Sequence, residues 1–375
     1  MNTATTRVPL FSFGTLVLLV LMGIGGVAAF YRFAFGLGAS TNMSDAVPWG
    51  FWVAFDVLSG VALAAGGFTI TAAVYIFNMK KYKPIARPAI LTAFLGYLMV
   101  VVGLIVDIGQ PLRFWHTLVM PQVRSVMFEV VMCITLYTTV LTLEFAPSVF
   151  ERLRLGWALR LLRPFHYPLI IAGIVLSFLH QSSLGGFFLI MPSKVPSLWY
   201  SANMPYLFYL SAICVGLAMV TFESIMSARA FKRPCETDII QGLGKGTAIA
   251  LAVYITARIA DLAVRGALPR MFEGSASSML YLAELLIGFV IPMVILFQKR
   301  IRETVSGTLF SVSLVIFGVL FNRFNTNFSA QLGNGVTYFP TWMEVAISIG
   351  IVAGGIFAYR LAALYLPVFH AETEQ

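Results

Sequence analysis

Ten apolar runs follow one another along the chain, separated by short polar segments: Leu10–Phe33, Trp49–Phe77, Ala86–Asp107, Val126–Phe145, Tyr167–Ile190, Pro205–Ala228, Gly246–Val264, Ser278–Phe297, Val305–Phe321 and Trp342–Leu364. Each is close to or beyond the roughly 20 residues that an α-helix needs to cross a bilayer. The pattern therefore predicts an all-α, polytopic membrane protein of about ten transmembrane helices. No polar block is long enough for a separate globular domain, so residues 1–375 read as one integral membrane domain. A weak internal repeat is visible. Asp107 is followed by Glu129 after 22 positions, and Asp261 by Glu284 after 23. This spacing predicts two four-helix bundles, 48–190 and 205–324, with peripheral helices at 10–33 and 342–364.

Composition agrees with the pattern: 59% hydrophobic and 11% charged residues exclude an ordinary soluble domain. The net charge of +9 is no nucleic-acid footprint, because the basic residues sit in short clusters between runs. They act as topology signals instead. Sixteen Lys and Arg, including Lys80, Lys81, Lys83, Arg87, Arg152, Arg154, Lys299 and Arg300, fall on one side; seven (Arg32, Arg113, Arg124, Lys194, Arg265, Arg270 and Arg323) fall on the other. The richer side faces the cytoplasm by the positive-inside rule, which places both termini there. The first run lacks an A-x-A cleavage site and reads as a retained helix.

The second run carries one carboxylate, Asp56, seven residues after Trp49. That places it roughly 10 Å below the interface, where a lone charge costs about 2.5–3.5 kcal/mol. Something must compensate it or use it. The small residues that follow, Ser59 to Gly67, let a helix or a flat ligand approach closely. Other titratable groups within runs are Tyr97, Asp107, Glu129, His180, Glu223, Arg258, Asp261 and Glu284. Arg258 and Asp261, spaced i,i+3, share a helix face and form a candidate ion pair. Most of the set lies in the outer half of the bilayer, with Tyr97 near the middle and Glu223 toward the cytoplasm.

Metal chemistry has few candidates here. Three cysteines cannot supply the four ligands of an iron–sulfur cluster. Of four histidines, only His166 and His180 lie in a run, and 14 residues on one helix separates them by roughly 21 Å. They cannot clamp a haem from facing helices, so neither haem nor iron–sulfur cluster is expected in this chain. Acids and an imidazole without metal ligands suit quinone reduction or quinol oxidation, in which each two-electron step moves two protons. The electrons would then come from a partner docked on the outer loops. Buried acids in paired bundles also fit a proton-coupled secondary transporter. Against that reading, no Gly- or Pro-broken run recurs at matched positions: Pro292 breaks the eighth, and the fourth has no proline.

Four segments carry a family resemblance: WGFWVAFDVLSGVALAAGGF, KYKPIARPAILTAFLGYLMVVVGLIVDIGQPLRFWH, SVMFEVVMCITLY and LSFLHQSSLGGFF. They resemble the polysulfide reductase/NrfD membrane-subunit family, and within it most closely the integral membrane subunits of hydrogenase-2-type nickel–iron hydrogenases. The resemblance implies a haem-free, multi-pass subunit of the bacterial inner membrane that carries the quinone-reduction site of a hydrogen:quinone oxidoreductase complex without itself activating hydrogen. Its implied partners are a periplasmic ferredoxin-like iron–sulfur subunit, the hydrogenase large and small subunits, and membrane lipid, with menaquinone as substrate. Tyr97, Glu129, His180 and Glu223 match the family's proton-transfer residues, and Arg87 lies in the same block. Asp56, with Trp49 and His180, is the expected quinone site. Polysulfide, formate or nitrite reductase partners are used elsewhere in the family and remain an alternative.

Overall fold

The computed structural model of the chain describes residues 9, 11–44, 47, 49–192, 195–332 and 338–369. Arg7, Lys194, His370, Pro48 and residues 333–337 lie outside the described residues. Among those described the chain is helical, without a strand, and ten helices are long and apolar enough to cross a membrane. We number them α1 (Phe13–Phe35), α2 (Val53–Ile76), α3 (Lys83–Asp107), α4 (Val126–Leu153), α5 (His166–Gly186), α6 (Met204–Ala230), α7 (Thr237–Val264), α8 (Ala276–Phe297), α9 (Val305–Leu332) and α10 (Trp342–Tyr365). The chain is an integral, multi-pass membrane protein.

Helix starts follow local capping chemistry. Ser12, Ser125 and Ser275 each cap the orphan N–H groups at the start of α1, α4 and α8, and Thr341 with Glu344 forms a full capping box on α10. Three helices run well beyond their apolar pattern, α7 by starting at Thr237 rather than Gly246. α4 continues from Phe145 through Pro147 to Leu153, and α9 continues from Phe321 to Leu332, through a stretch that reads as loop in sequence. In α9 the reason is tertiary, because Asn322, Asn325 and Asn327 turn inward and spend their amides on buried partners.

Packing closes two rings. α2–α3, α3–α4, α4–α5 and α5–α2 are neighbours, as are α6–α7, α7–α8, α8–α9 and α9–α6. α6 and α9 also pack on α2, which joins the rings, while α1 lies on α10 and α10 on α3. Close approach requires missing side chains at the joints. A Cβ on Gly67 would meet Ala93 of α3 at 2.4 Å, and one on Gly216 of α6 would meet the Ala65 backbone of α2 at 2.9 Å. Neighbouring helices, rather than a flat ligand, occupy the small-residue stripe of the second run.

α2 is the irregular element at the centre. It is wound as a π-helix at Val53–Ser59, turns at Ala64–Ala65 and widens again at Ala72–Ile76. Wide turns free carbonyls, which inside a bilayer must find donors. Ser59 Oγ donates to Ala54 O at 2.7 Å, Gln181 Nε2 of α5 to Val61 O at 2.9 Å, and Thr71 Oγ1 to Gly67 O at 2.7 Å. The polar residues that satisfy α2 are thus supplied by two helices, and they fix Asp56 within the first wide turn.

A candidate quinone and proton-transfer site

Successive spans alternate direction, so the molecule has a basic end, where α1 starts and α10 finishes, and an opposite end. The candidate site lies between them, nearer the opposite end. His180 of α5 and Tyr97 of α3 are both fully buried, and Tyr97 Oη and His180 Nδ1 share a hydrogen bond of 2.9 Å. Tyr97 stacks edge-on against Tyr137 of α4 at 4.5 Å, and Ser177, one turn below His180, lies beside both phenols. His180 Nε2 has no hydrogen-bond partner among the described residues. A buried imidazole held by one nitrogen and free at the other is arranged to exchange a proton with a ligand or a water.

One turn above His180, Ser183 donates to Glu129 Oε1. Glu129 stands in the first turn of α4 and is exposed, so it marks the opening of this column at the opposite end rather than a buried relay. Trp49 stacks on Phe187 at 3.9 Å and meets Phe188 edge-on at 5.9 Å, forming an aromatic rim beyond the end of α5. Asp56 is buried but turned the other way. Its Oδ2 accepts from Ser348 Oγ of α10 at 2.5 Å, and its Cβ faces Gly103 of α3. Tyr97, His180 and, through Ser183, Glu129 are therefore brought together, and Trp49 covers the end of the same helix; Asp56 belongs to the α2–α3–α10 seam.

Glu223 of α6 sits toward the basic end. Its Oε1 accepts from Tyr359 Oη of α10 at 2.6 Å, and its Oε2 has no partner among the described residues. It lines a cavity of ≈ 550 Å³ with Ser227, Arg233, Glu236 and Phe369. Arg233 lies beyond the spans, with its guanidinium over the Phe369 ring at 3.4 Å; burial lowers its basicity, and nearby Tyr359, Glu236 and Glu223 partly restore it. Arg87 is half-exposed and pairs with Glu151 at 2.8 Å, a clamp between α3 and α4 at the basic end.

The expected Arg258–Asp261 ion pair is corrected. Arg258 pairs with Glu284 of α8 at 2.6 Å, and Asp261 pairs with Arg265 at 2.8 Å. An i,i+3 spacing gives a shared face, but each group has a better-aimed partner elsewhere. Arg32 and Arg323, taken in sequence for loop charges, are also buried: Arg32 donates to Val106 O and Ile108 O at 2.5 and 2.6 Å, and Arg323 to Asn322 and Ser211 at 2.8 Å each. Sequence reasoning missed Ser348, Tyr359, Gln181 and Glu344 as partners of the site and its supports. Of these only Glu344, an acid beside the start of an apolar run, carries a visible signal.

A haem does not fit the described histidines. His180 is committed to Tyr97, His166 stacks against Tyr75 at 5.2 Å and His116 against Trp115 at 4.2 Å, so no two imidazoles face each other. Among the described residues no group of three or more His, Cys, Asp or Glu is placed to hold a metal ion.

Paired helix rings around a buried tyrosine–histidine couple define the class to which the chain belongs, that of polytopic helical membrane subunits. The chain belongs to the polysulphide reductase, NrfD, family, whose model matches residues 39–333. It is 34% identical to the probable Ni/Fe-hydrogenase 2 b-type cytochrome subunit of Escherichia coli K12, over 96% of this chain and 92% of that one. It is 30% identical to the integral membrane subunit of menaquinone reductase of Nitratidesulfovibrio vulgaris, over 95% of this chain and 91% of that one. A further protein of N. vulgaris is 39% identical over 99% of this chain and 98% of its own length.

Proposed function

We propose that this chain is the haem-free, quinone-reactive membrane subunit of a respiratory nickel–iron hydrogenase. In this reading it takes electrons from a periplasmic ferredoxin-like iron–sulfur subunit beside the hydrogenase large and small subunits and delivers them to menaquinone in the inner membrane. The observation that carries it is the buried Tyr97–His180 couple with Nε2 left free. Reduction of a quinone takes two electrons and two protons, and His180 is the group that passes a proton at Nε2 while Tyr97 holds and recharges the ring through Nδ1. Ser183 and Glu129 lead from this couple to the opposite end, with the Trp49–Phe187 rim beside them.

The relatives' names support quinone and hydrogenase chemistry, one being called a menaquinone reductase subunit and another a hydrogenase subunit. The name of the latter also includes a b-type cytochrome, a role that the separated histidines of this chain do not favour. Glu223, open to the cavity at the basic end and held by Tyr359, would supply protons from the cytoplasm. The two helix rings would act as two four-helix bundles, α2–α5 carrying the quinone chemistry.

The test is purification in a gentle detergent, identification of the copurifying chains, a haem spectrum, and donor-dependent reduction of a menaquinone analogue. The expected result is a nickel–iron pair with an iron–sulfur subunit, no haem signal from this chain, and quinone reduction that His180→Ala abolishes. Copurification with a different oxidoreductase would keep the quinone site and remove hydrogen. A haem spectrum assigned to this chain, or quinone turnover indifferent to His180→Ala, would overturn the proposal.

A further inference from the structure

The second ring, α6–α9, holds a buried charge cluster that the quinone reading does not use. Glu284 of α8 is fully buried and saturated with donors: Arg258 at 2.6 Å, Trp199 Nε1 at 2.9 Å, Asn322 Nδ2 at 2.8 Å and Asn325 Nδ2 at 2.7 Å. Asn322 also accepts from Arg323 Nη1 at 2.8 Å, so the amide links the carboxylate to a second guanidinium. Arg323 is 1% exposed and has only neutral acceptors, namely Asn322, Ser211 Oγ and Phe208 O, with the Phe208 ring 3.7 Å from its centre. Among the described residues its Nε has no acceptor and no carboxylate pairs with it. Next to it, Asp261 and Arg265 neutralise each other.

The count of formal charges is therefore three arginines, Arg258, Arg265 and Arg323, against two carboxylates, Asp261 and Glu284, which leaves one positive charge. An uncompensated guanidinium inside a bilayer is costly. All five groups border or adjoin a cavity of ≈ 360 Å³, which Trp199, Tyr254, Tyr281, Arg258, Arg323 and Thr326 help to line. Its walls offer N–H and O–H donors, and its surplus charge is positive. A neutral quinone would leave that charge in place.

We propose that this cavity binds a small inorganic monovalent anion, of halide size, with Arg323 as its principal counter-charge. The anion neutralises the ring α6–α9 and lets Arg323 stay buried without a carboxylate of its own. It acts as a fixed structural charge, distinct from the quinone chemistry of the first ring.

The probe is chloride or bromide, applied to the detergent-purified full chain with whatever subunits copurify, starting from gluconate buffer at constant ionic strength. The expected result is a saturable rise in melting temperature of about 2–4 °C with either halide and a bromide anomalous peak, or the matching density, beside Arg323. In Arg323→Gln the halide shift should vanish. Should that variant fail to fold, the wild-type bromide map decides alone. The proposal is overturned by a halide-independent melting curve, by a halide shift that persists in Arg323→Gln, or by a cavity that holds only water or a quinone.

Discussion

At the residue scale, the site depends on polar groups whose partners lie on other helices. Tyr97→Phe leaves His180 Nδ1 without a partner inside a fully buried pocket, which costs about 1–3 kcal/mol of stability. On the proposed role of Tyr97 in recharging the imidazole, donor-dependent reduction of a menaquinone analogue should also fall by about 10²-fold or more. An unchanged rate in a folded variant would make Tyr97 a packing residue only. On the proposed roles, in which the Glu223 carboxylate carries the proton and the Tyr359 phenol orients it, Tyr359→Phe should slow turnover less than Glu223→Gln; stopped-flow proton uptake in vesicles, compared between the two, checks the order. The depth of Tyr97, His180 and Glu223 was legible from their places in apolar runs. Their partners were not, because a serine or tyrosine on another helix, such as Ser348 or Tyr359, gives no local signal. The Arg258–Asp261 pairing failed for the same reason: spacing along one helix says nothing of Glu284 on the next.

At the element scale, the length of the apolar runs located all ten helices, since the bilayer demands that each backbone group be satisfied within its own segment. What the pattern concealed was irregularity. The irregular turns of α2 are satisfied by Ser59 and Gln181, the latter 120 positions from the carbonyl it serves. The polar end of α9 stays helical because its asparagines face Glu284 and the Trp49–Gly50 backbone ahead of α2 rather than solvent. Contact between α8 and α9 rests on Gly288 and Gly318, whose Cα atoms would lie 2.3–2.4 Å from an added Cβ on the other. Gly318→Val should therefore separate these helices and displace Asn322 from Glu284. The expected outcome is a melting temperature lowered by several degrees in detergent, on the order of the 1–3 kcal/mol cost of overpacking, together with loss of the halide response. A variant as stable as the parent would show that the helices can slide apart without penalty.

At the scale of the whole molecule, α10 reaches both functional ends: Ser348 holds Asp56 near one, and Tyr359 holds Glu223 near the other, although the family match ends before this helix. A helix read in sequence as peripheral thus touches the carboxylates on which proton entry and exit would depend. Which end faces the cytoplasm follows from charge. Removing the buried Arg32 and Arg323 from the seven basic residues of the opposite end leaves five there against sixteen at the basic end, so the asymmetry is steeper than the sequence count gave. Both termini should therefore be cytoplasmic, and the Trp49 rim should open toward the periplasm. Fusing a fluorescent protein after the last residue should give a bright cell, and alkaline phosphatase fused there should be inactive; the same phosphatase placed after Gly266, between α7 and α8, should be active. The reverse pattern would turn the Trp49 rim toward the cytoplasm, and with it the docking face for the electron donor, so a periplasmic iron–sulfur partner would then be excluded on geometry alone.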